Sequence, residues 1–342
     1  MEIIMLVDYR GQFYSSQRSS TIGMDIDRIT KHLKDGGVRI EVIPFSSIDW
    51  SLDYKGKYVV YQSSEDRGLL YKSYISDVLL GLNDRGAFII PKYQYFHAHH
   101  NKSFQEIIRK NICVSGVKSI KSDSYGCFED FMKSDLSNIE YPVVIKDSEG
   151  CCSKSVLLVK NEKELVKSVK SLSRSFNFRD ALRFFAKRFL RKDYIPESLN
   201  RNKFILQQFI PNLAGDYKVL VYGDKYYVLS RLNRKGDFRA SGSGIFNFPE
   251  QIPKEVLITS KAIKEFFNVP YVSLDIAYDS ETDTCFLIEF QFLMFGTYTL
   301  EASKFYFLNQ GDEWRRVEGE SILEDVFADS LLQYIRNNFS YN

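Results

Sequence analysis

The sequence predicts an α/β protein built from three successive units. Over roughly the first 95 residues, apolar strand-like stretches alternate with helix-like stretches, which is typical of a parallel sheet covered by helices. After residue 203 strand patterns dominate, which favours α+β lobes in the rest of the chain. The 342 residues are ample for three such units with a sizeable core.

The N-terminal unit, residues 1–96, is predicted to be a small parallel sheet with helices against it. Its predicted strands are Ile3–Asp8, Val38–Phe45, Lys57–Gln62 and Ala87–Pro91. Helices are predicted near Asp25–Lys34 and Tyr71–Leu82. Gly36 and Gly37 should end the first helix, because glycine readily adopts the backbone conformation that closes a helix.

The central unit, residues 97–205, is predicted to be an α+β lobe with a basic insertion at 172–203. Its helices are predicted at Ser103–Asn111, Phe128–Ser134 and Glu162–Ser171, and its two most apolar strands at Tyr141–Asp147 and Ser155–Lys160. From residue 174 to 203, nine basic residues stand against three acidic ones, a net charge of +6.

The C-terminal unit, residues 206–342, is predicted to be a larger, strand-rich lobe. Strands at Phe204–Ile210, Tyr217–Tyr222 and Tyr226–Leu232 precede a helix at Lys254–Phe267. Two further strands, Tyr271–Tyr278 and Cys285–Gln291, come before a terminal helix at Glu320–Arg336.

Composition and charge exclude several classes of protein. A net charge of +2 gives no support for nucleic-acid binding by the whole chain. The N-terminus has no basic leader and too short an apolar run for a signal peptide, and no apolar run is long enough to span a membrane. Five cysteines without metal-ligand spacing indicate reduced thiols. We therefore expect a cytoplasmic protein.

Three oxygen-bearing side chains lie within the two apolar strands that precede the terminal helix. Asp275 lies in the first strand, and Glu289 and Gln291 share one face of the second, since strand side chains alternate. If the two strands pair as a hairpin, Asp275 can face them, which forms an oxygen-only site suited to Mg²⁺. The alternative is a strand that ends with an exposed glutamate.

Cationic residues in two other places suit phosphate. Lys146 ends an apolar strand and is followed by a loop of small residues, 147–155, that could surround a phosphate; a solvated lysine at a strand end is the alternative. Arg231 and Arg239 flank a turn, and arginine offers a planar fork for phosphate or carboxylate.

In this order, these motifs resemble the ATP-grasp superfamily, especially glutathione synthetase and the ribosomal-protein glutamate ligases. The resemblance spans roughly residues 100–300, and it implies an ATP-grasp fold with a preceding N-terminal domain and two α+β lobes that sandwich ATP. The residues that carry it are Asn101, Lys102, Pro142–Lys146, Leu206–Ile210, Gly215, Asp216, Arg231, Gly236–Arg239, Asp275, Glu289 and Gln291.

The resemblance also implies roles for particular residues. Lys102 and Lys146 would contact the ATP phosphates or the base. The backbone of Gln208, Phe209 and Ile210 would read the adenine edge, and Asp216 would take the ribose hydroxyls. The transferred phosphoryl group would be stabilised by Arg231 and Arg239. The ligands of two Mg²⁺ ions, with Mn²⁺ as an alternative metal, would be Asp275, Glu289 and Gln291.

The chain departs from the family pattern at three places. Gln291 stands where the family usually has Asn, so its side chain is one methylene longer. The phosphate loop has only Gly150 where two or three glycines are usual, which leaves it less freedom of positive φ. Lys218 stands where Arg is common.

The resemblance implies an ATP-dependent carboxylate–amine ligase. ATP would phosphorylate a substrate carboxylate, and an amine would then displace phosphate to form an amide. The substrates are expected to be small molecules, or peptide or surface-glycan precursors that are lipid- or nucleotide-linked. The alternatives are a small-molecule kinase on the same scaffold, with Asp237 as the only nearby acid that could act as its base, and a nucleotide-binding module without catalysis.

Three further features allow more than one interpretation. The basic segment interleaves Phe and Leu with Arg and Lys, so residues 174–192 could form a cationic amphipathic helix that contacts a membrane surface. Alternatively, the helix could pack its Phe face on the domain. His97, His99 and His100 could ligate zinc but lack further ligands at suitable spacing. Cys151 and Cys152 could be a reactive pair or simply part of a loop.

Overall fold

The computed structural model describes residues 2–13, 23–64, 66–149, 156–176, 178–191, 193–195, 197–311 and 313–339. Its first sheet is the parallel sheet that the sequence predicts, with strand order β2-β1-β3-β4. The strands are β1 (Glu2–Val7), β2 (Arg39–Pro44), β3 (Tyr58–Tyr61) and β4 (Phe88–Ile90). Between them in sequence lie the helices α1 (Ile26–Asp35) and α2 (Leu70–Asp84).

Local sequence explains the limits of α1. The Asp25 side chain accepts a hydrogen bond of 3.0 Å from the backbone N–H of Arg28, which caps the start of the helix. At the other end, Gly37 has a φ of 86°, which a residue with a Cβ rarely adopts. The helix therefore ends where the Gly36-Gly37 pair predicts.

The middle of the chain forms a four-stranded antiparallel sheet with strand order β6-β9-β7-β8. Before it come α3 (Tyr93–Ala98), α4 (Lys102–Arg109) and the short strand β5 (Val117–Lys118). The sheet and its helices comprise β6 (Ser122–Tyr125), α5 (Phe128–Lys133), β7 (Val143–Asp147), β8 (Val156–Val159), α6 (Glu162–Leu172), α7 (Phe178–Leu190) and β9 (Phe204–Gln208).

The third sheet has the strand order β16-β15-β11-β10-β13-β14-β5, with β12 paired to β11. Its elements in chain order are β10 (Gly215–Tyr222), β11 (Lys225–Leu232), β12 (Phe246–Asn247), α8 (Lys254–Phe267), β13 (Tyr271–Asp279), β14 (Thr284–Gln291), α9 (Tyr298–Glu301), β15 (Phe305–Gln310), β16 (Glu313–Glu318) and α10 (Leu323–Asn338). Because β5 pairs with β14, the chain joins this sheet before it enters the central one.

The terminal helix α10 joins the last unit to the first. Arg28 of α1 forms two hydrogen bonds of 2.7 Å with the carboxylate of Asp325 of α10. Leu332 of α10 lies against Gly36, where an added Cβ would approach its Cδ1 to 2.5 Å. The largest buried cluster accordingly contains side chains from the parallel sheet, from α10 and from β10 and β13.

The helix α7 lies in the basic insertion and is largely exposed. Its Phe189 is 91% exposed and its Leu190 83% exposed, and no described helix or strand packs closely along it. The interpretation that this helix packs its Phe face on the domain is therefore wrong for Phe185, Phe189 and Leu190. Among the described residues, no helix is long and apolar enough to cross a membrane.

Candidate active site

Asp275 and Glu289 lie directly opposite each other on the antiparallel strands β13 and β14. The strands pair as the hairpin that would bring these carboxylates together. A bulge follows, because Ile288 has no opposite residue while Leu287 pairs with Ile276. The amide nitrogen of Gln291 donates a hydrogen bond of 2.9 Å to Oε1 of Glu289, so these two side chains share a face.

This arrangement has the donor chemistry that Mg²⁺ requires. The donors are two carboxylates and one amide oxygen, and oxygen is the ligand that Mg²⁺ prefers. In the described part of the chain, no group of three or more His, Cys, Asp or Glu residues could hold a metal. An ion at Asp275 and Glu289 would therefore complete its shell with water and phosphate oxygens, which is how Mg²⁺ is commonly held.

Two cations from neighbouring strands surround Asp275. Arg231 of β11 approaches its Oδ2 at 2.8 Å, and Lys218 of β10 approaches its Oδ1 at 3.8 Å. Arg231 also binds Asp216 through two hydrogen bonds of 2.6 and 2.8 Å. Strand register explains the cluster, because Asp216 pairs with Arg231 and Lys218 pairs with Asp275.

The pKa values of the two carboxylates in this cluster differ from those of carboxylates in water. Burial raises the pKa of Asp216 to about 6; the nearby Asp275 acts in the same direction, and Arg231 opposes both. Burial also acts to raise the pKa of Asp275, but Arg231 and Lys218 outweigh it, and the pKa is lowered. Asp275 therefore stays ionised.

Lys146 extends the site to the central sheet. It is the next-to-last residue of β7, and burial lowers its pKa to about 8, with the charges of Arg109 and Lys102 adding to the effect. The negative charge of Glu289 acts to raise the pKa of Lys146, so Lys146 lies within electrostatic reach of this β14 carboxylate. Among the described residues, its ammonium group forms no ion pair or hydrogen bond. The two sheets thus present a half-buried cation and two carboxylates to one another.

Lys102 lies at the first residue of α4, beside the end of β7. Its backbone N–H donates to the carbonyl of Ser148 at 2.9 Å. Asn101 caps the helix by accepting a hydrogen bond from the N–H of Phe104. Because the charge of Lys102 lowers the pKa of Lys146, the two lysines lie near one another.

Sequence reasoning missed Arg109, a buried arginine in the same helix. Its Nη2 lies 2.5 Å from Oε1 of Glu106 and donates to the carbonyl of Ile288 at 3.0 Å. Glu106 also accepts hydrogen bonds from Ser122 of β6 and Gln207 of β9. Nε and Nη1 of Arg109 have no hydrogen-bond partner in the described part of the chain. The Glu106–Arg109 spacing of three on a helix was the only available signal.

The residues expected to read adenine connect the central sheet to β10. Gln208 is the last residue of β9, and its backbone N–H donates to the carbonyl of Lys121 at 2.8 Å. Phe209 packs edge-on against Phe238, with ring centroids 5.9 Å apart. Ile210 packs in a small cluster on the third sheet. The Phe209–Phe238 contact holds the loop that carries Arg239 against this connection.

Within the described structure, Arg239 forms no ion pair with Asp275 or Glu289. It instead binds Asp237 of its own loop, through Nη2 at 2.7 Å, Nε at 2.9 Å and its backbone N–H at 3.0 Å. These hydrogen bonds lower the pKa of Asp237 to about 2. Of the predicted site residues, Lys102, Lys146, Asp216, Arg231, Asp275, Glu289 and Gln291 are brought together, and Arg239 stands apart from them.

Two predictions fall wholly or partly outside the described residues. Residues 150–155, which include most of the predicted phosphate loop with Cys151 and Cys152, lie outside them. The histidines are described, and Nδ1 of His99 lies 3.0 Å from the ammonium of Lys72, a cationic neighbour that does not suit a metal ligand. His97 stacks on Tyr93 instead. The described structure thus gives no support to a zinc site.

No family model matches the chain, and no curated protein matches its sequence. Solved structures match it over nearly its whole length. The D-cycloserine synthetase DcsG is 12% identical with a TM-score of 0.53, and the match covers 97% of this chain and 99% of that one.

Two further structures are similar to the same extent. The macrocyclase MdnC from Microcystis aeruginosa MRC, bound with precursor peptide MdnA, is 12% identical with a TM-score of 0.52, covering 97% of this chain and 99% of that one. A RiPP-associated ATP-grasp ligase from Chryseobacterium gregarium, in complex with ADP and a leader and core peptide, is 13% identical with a TM-score of 0.52, covering 97% and 96%. The likeness shows that this chain has the ATP-grasp fold, which confirms the expectation drawn from its motifs.

Proposed function

We propose that this chain, which has the ATP-grasp fold, is an ATP-dependent carboxylate–amine ligase. The observation that carries the proposal is the opposition of Asp275 and Glu289 on β13 and β14, within electrostatic reach of Lys146 from the central sheet. Oxygen ligands and a half-buried cation between two sheets suit a metal-bound polyphosphate. The likeness to ATP-grasp ligases supports the same conclusion.

In this proposal the nucleotide lies between the central and the C-terminal sheets, that is, between units 97–205 and 206–342. Lys102 and Lys146 bind its phosphates, and the backbone at 208–210 reads the base. Asp275, Glu289 and Gln291 hold Mg²⁺, two ions by resemblance and with Mn²⁺ as an alternative, which neutralises charge on the phosphate oxygens.

In this proposal Arg231 also positions two carboxylates, because it binds both Asp216 and Asp275. It fixes the two carboxylates in place before any ligand arrives. Asp216 offers the ribose a carboxylate whose oxygens are already held by Arg231, so its orientation is set in advance.

The proposed reaction needs no protein nucleophile. A substrate carboxylate oxygen attacks the γ-phosphorus of ATP, the bond to the β-phosphate oxygen breaks, and ADP leaves. The amine then attacks the acyl carbon of this acyl-phosphate, phosphate departs with the bonding electron pair, and the nitrogen loses a proton to give the amide. The chain contributes positioning and charge stabilisation, which are the main demands of phosphoryl transfer.

One observation bears on the alternative of a kinase. A kinase normally has a base for the acceptor hydroxyl, and Asp237 is the nearby acid that the sequence offered for this role. With a pKa lowered to about 2 and hydrogen bonds to Arg239, its carboxylate is a weak base with little capacity to take a proton. This favours the ligase.

For the substrate we propose a peptide or surface-glycan precursor, in the cytoplasm where ATP is made available. The peptide class has support from two structural neighbours that were solved with peptides bound. A lipid- or nucleotide-linked glycan has weaker support and rests on the cationic insertion at 172–203.

Hydroxylamine trapping tests the reaction type. An acyl-phosphate is a reactive mixed anhydride, so hydroxylamine intercepts it and yields a hydroxamate in the presence of ATP, Mg²⁺ and the right carboxylate. Purified protein should be screened against peptides and sugar acids for hydroxamate and for ADP release. A stable phosphate ester without hydroxamate, from any substrate that drives ATP turnover, would establish a kinase. ATP binding without turnover on any substrate would favour a non-catalytic module.

A further inference from the structure

The basic insertion presents a helix with a large apolar surface in solvent. In α7, Phe189 and Leu190 are 91% and 83% exposed, and Ile195, just after the helix, is 88% exposed. Leu182 and Phe185 are also exposed. Single exposed apolar residues are ordinary, but five within 14 residues are unusual, and clustered exposed apolar residues usually mark an interaction site.

Three exposed apolar residues of α7 occupy one face of the helix. Leu182, Phe185 and Phe189 are spaced three and four residues apart, which places them one above another. Arg183 lies towards one side of this stripe and Arg188 towards the other, while Lys187 lies on the opposite face of the helix. All three cations are exposed. The helix is thus amphipathic, with an apolar stripe flanked on both sides by positive charge.

The neighbouring chain extends the positive surface beyond the helix. Arg191 is exposed, and its N–H donates to the carbonyl of Lys187 at 3.0 Å. The ammonium of Lys187 lies over the ring of Tyr194, 5.7 Å from its centroid. Tyr194 and Ile195 therefore lie beside the helix end, where an aromatic ring and an apolar side chain accompany the cations.

We propose that α7 is an interfacial helix that docks this protein on an anionic lipid surface. The apolar stripe would enter the boundary between headgroups and acyl chains, while Arg183 and Arg188 contact the anionic headgroups and Lys187 adds to the positive charge of the helix. The long stems of Lys and Arg allow their charged ends to stay in the headgroup layer beside an inserted apolar stripe.

A lipid surface fits these features better than an acidic peptide does. A protein that receives a peptide usually offers it a groove or an exposed sheet edge, and a groove here would need a second wall beside the helix. No described helix or strand packs closely along α7 to form such a wall. A planar lipid surface needs only one helix face. Cations on both sides of the stripe can then contact anionic headgroups on both sides of the inserted helix. The inference does not depend on the proposed ligase activity.

The test is co-sedimentation of the full chain with vesicles, without ATP or substrate. Vesicles of phosphatidylcholine with phosphatidylserine should bind the wild type, and vesicles of phosphatidylcholine alone should bind it far less. Binding should weaken between ~0.01 M and ~0.15 M salt, as the Debye length shortens from about 30 Å to about 8 Å.

Two variants separate the charges from the apolar stripe. The triple change R183Q/K187Q/R188Q should lower partition on the order of 100-fold, from about fivefold for each of the three cations near an anionic surface. The change F185S/F189S/L190S should leave salt-sensitive attraction at ~0.01 M but abolish binding at ~0.15 M. Both alter exposed side chains, and circular dichroism and nucleotide binding should match the wild type.

A matched control removes the same charge from a packed helix of the same unit. Lys163, Lys167 and Lys170 of α6 are exposed, while Leu165 and Val169 anchor that helix in the core. K163Q/K167Q/K170Q should bind vesicles as the wild type does. The proposal is overturned if wild type does not bind anionic vesicles at ~0.01 M salt, or if the α6 variant loses as much binding as the α7 variant. It is also overturned if poly-glutamate binds α7 while vesicles do not.

Discussion

Arg109 of α4 donates a hydrogen bond of 3.0 Å to the carbonyl of Ile288, the residue that forms the bulge in β14. Glu289 follows directly and faces Asp275 across the hairpin. The same guanidinium pairs with Glu106, which is held by β6 and β9 of the central sheet. Arg109 therefore ties the central sheet to the bulge that sets the direction of Glu289.

Removing Arg109 should lower both stability and turnover. In Arg109→Met, Glu106 keeps its burial but loses its cation, and breaking a buried ion pair costs about 3–5 kcal/mol of the free energy of unfolding. We expect a lower midpoint in urea and a higher Mg²⁺ requirement for ATP turnover, because Glu289 is less firmly placed.

A double variant separates these two effects. In E106Q/R109M the buried carboxylate is replaced by an amide, so much of the lost stability should return. The bulge carbonyl still lacks its donor, so the higher Mg²⁺ requirement should persist. If turnover recovers together with stability, Arg109 has no positioning role at Glu289.

Glu289→Gln should reduce ATP turnover on the order of 10²-fold or more, by analogy with the loss of one electrostatic contact in an active site. The change removes one of two facing carboxylates and leaves phosphate charge uncompensated. Steady-state ADP release measures it. Glu281→Gln, in the turn of the same hairpin and exposed, is the matched control and should keep wild-type turnover. Wild-type turnover in Glu289→Gln would end the metal assignment.

Much of this site follows from local sequence pattern, and part of it does not. Glu289 and Gln291 could be placed on one face because strand side chains alternate. The position of Asp275 opposite Glu289 depends on the bulge at Ile288, which the pattern does not predict, since unbroken pairing would set Asp275 opposite Ile288. The roles of Glu106 and Arg109 could not be predicted, because their pattern is that of polar positions on an amphipathic helix. Their burial depends on Ser122, Gln207 and Ile288, which are distant in sequence.

The outer strands and the basic helix show the same limit of sequence reasoning. The strands β15 and β16 were not predicted; β16 carries charged residues at most positions and forms the edge of its sheet, whereas β15 is apolar and its sequence pattern was overlooked. The amphipathic pattern of α7 was evident, but periodicity cannot say whether an apolar face meets the protein or solvent. The structure places it in solvent.

ATP binding should weaken as the pH rises through about 8, where Lys146 loses its proton. Its pKa is lowered from 10.5 by burial, so the folded chain releases this proton while the unfolded chain still holds it. Below about pH 8 the charge of Lys146 in the folded chain lowers the free energy of unfolding. This loss is relieved as the pH rises from about 8 towards 10.5. Binding of the phosphates favours the charged form and should therefore take up a proton above pH 8.

Lys146→Arg supplies the control for this pH dependence, because arginine stays charged throughout the range. Its dissociation constant for ATP, measured by calorimetry, should be flat where that of the wild type rises. Any pH dependence that remains in Lys146→Arg belongs to other groups. Equal slopes in both proteins would show that Lys146 does not bind the phosphates in its charged form.

Arg239 should affect catalysis more than substrate binding, although it stands apart from the carboxylate cluster. Its guanidinium is held by Asp237 in a loop that packs on Phe209, next to the connection proposed to bind the adenine. A charge that meets its partner only during phosphoryl transfer lowers kcat when it is removed, whereas one that binds the ground state raises KM. We therefore expect Arg239→Met to lower kcat by a larger factor than it raises KM for ATP, and Lys146→Met to do the reverse.

Lys235→Gln, an exposed cation of the same loop, should match wild type. If Arg239→Met changes KM alone, Arg239 only binds substrate, and the stabilisation of the transferred phosphoryl group falls to Arg231 and the metal ligands.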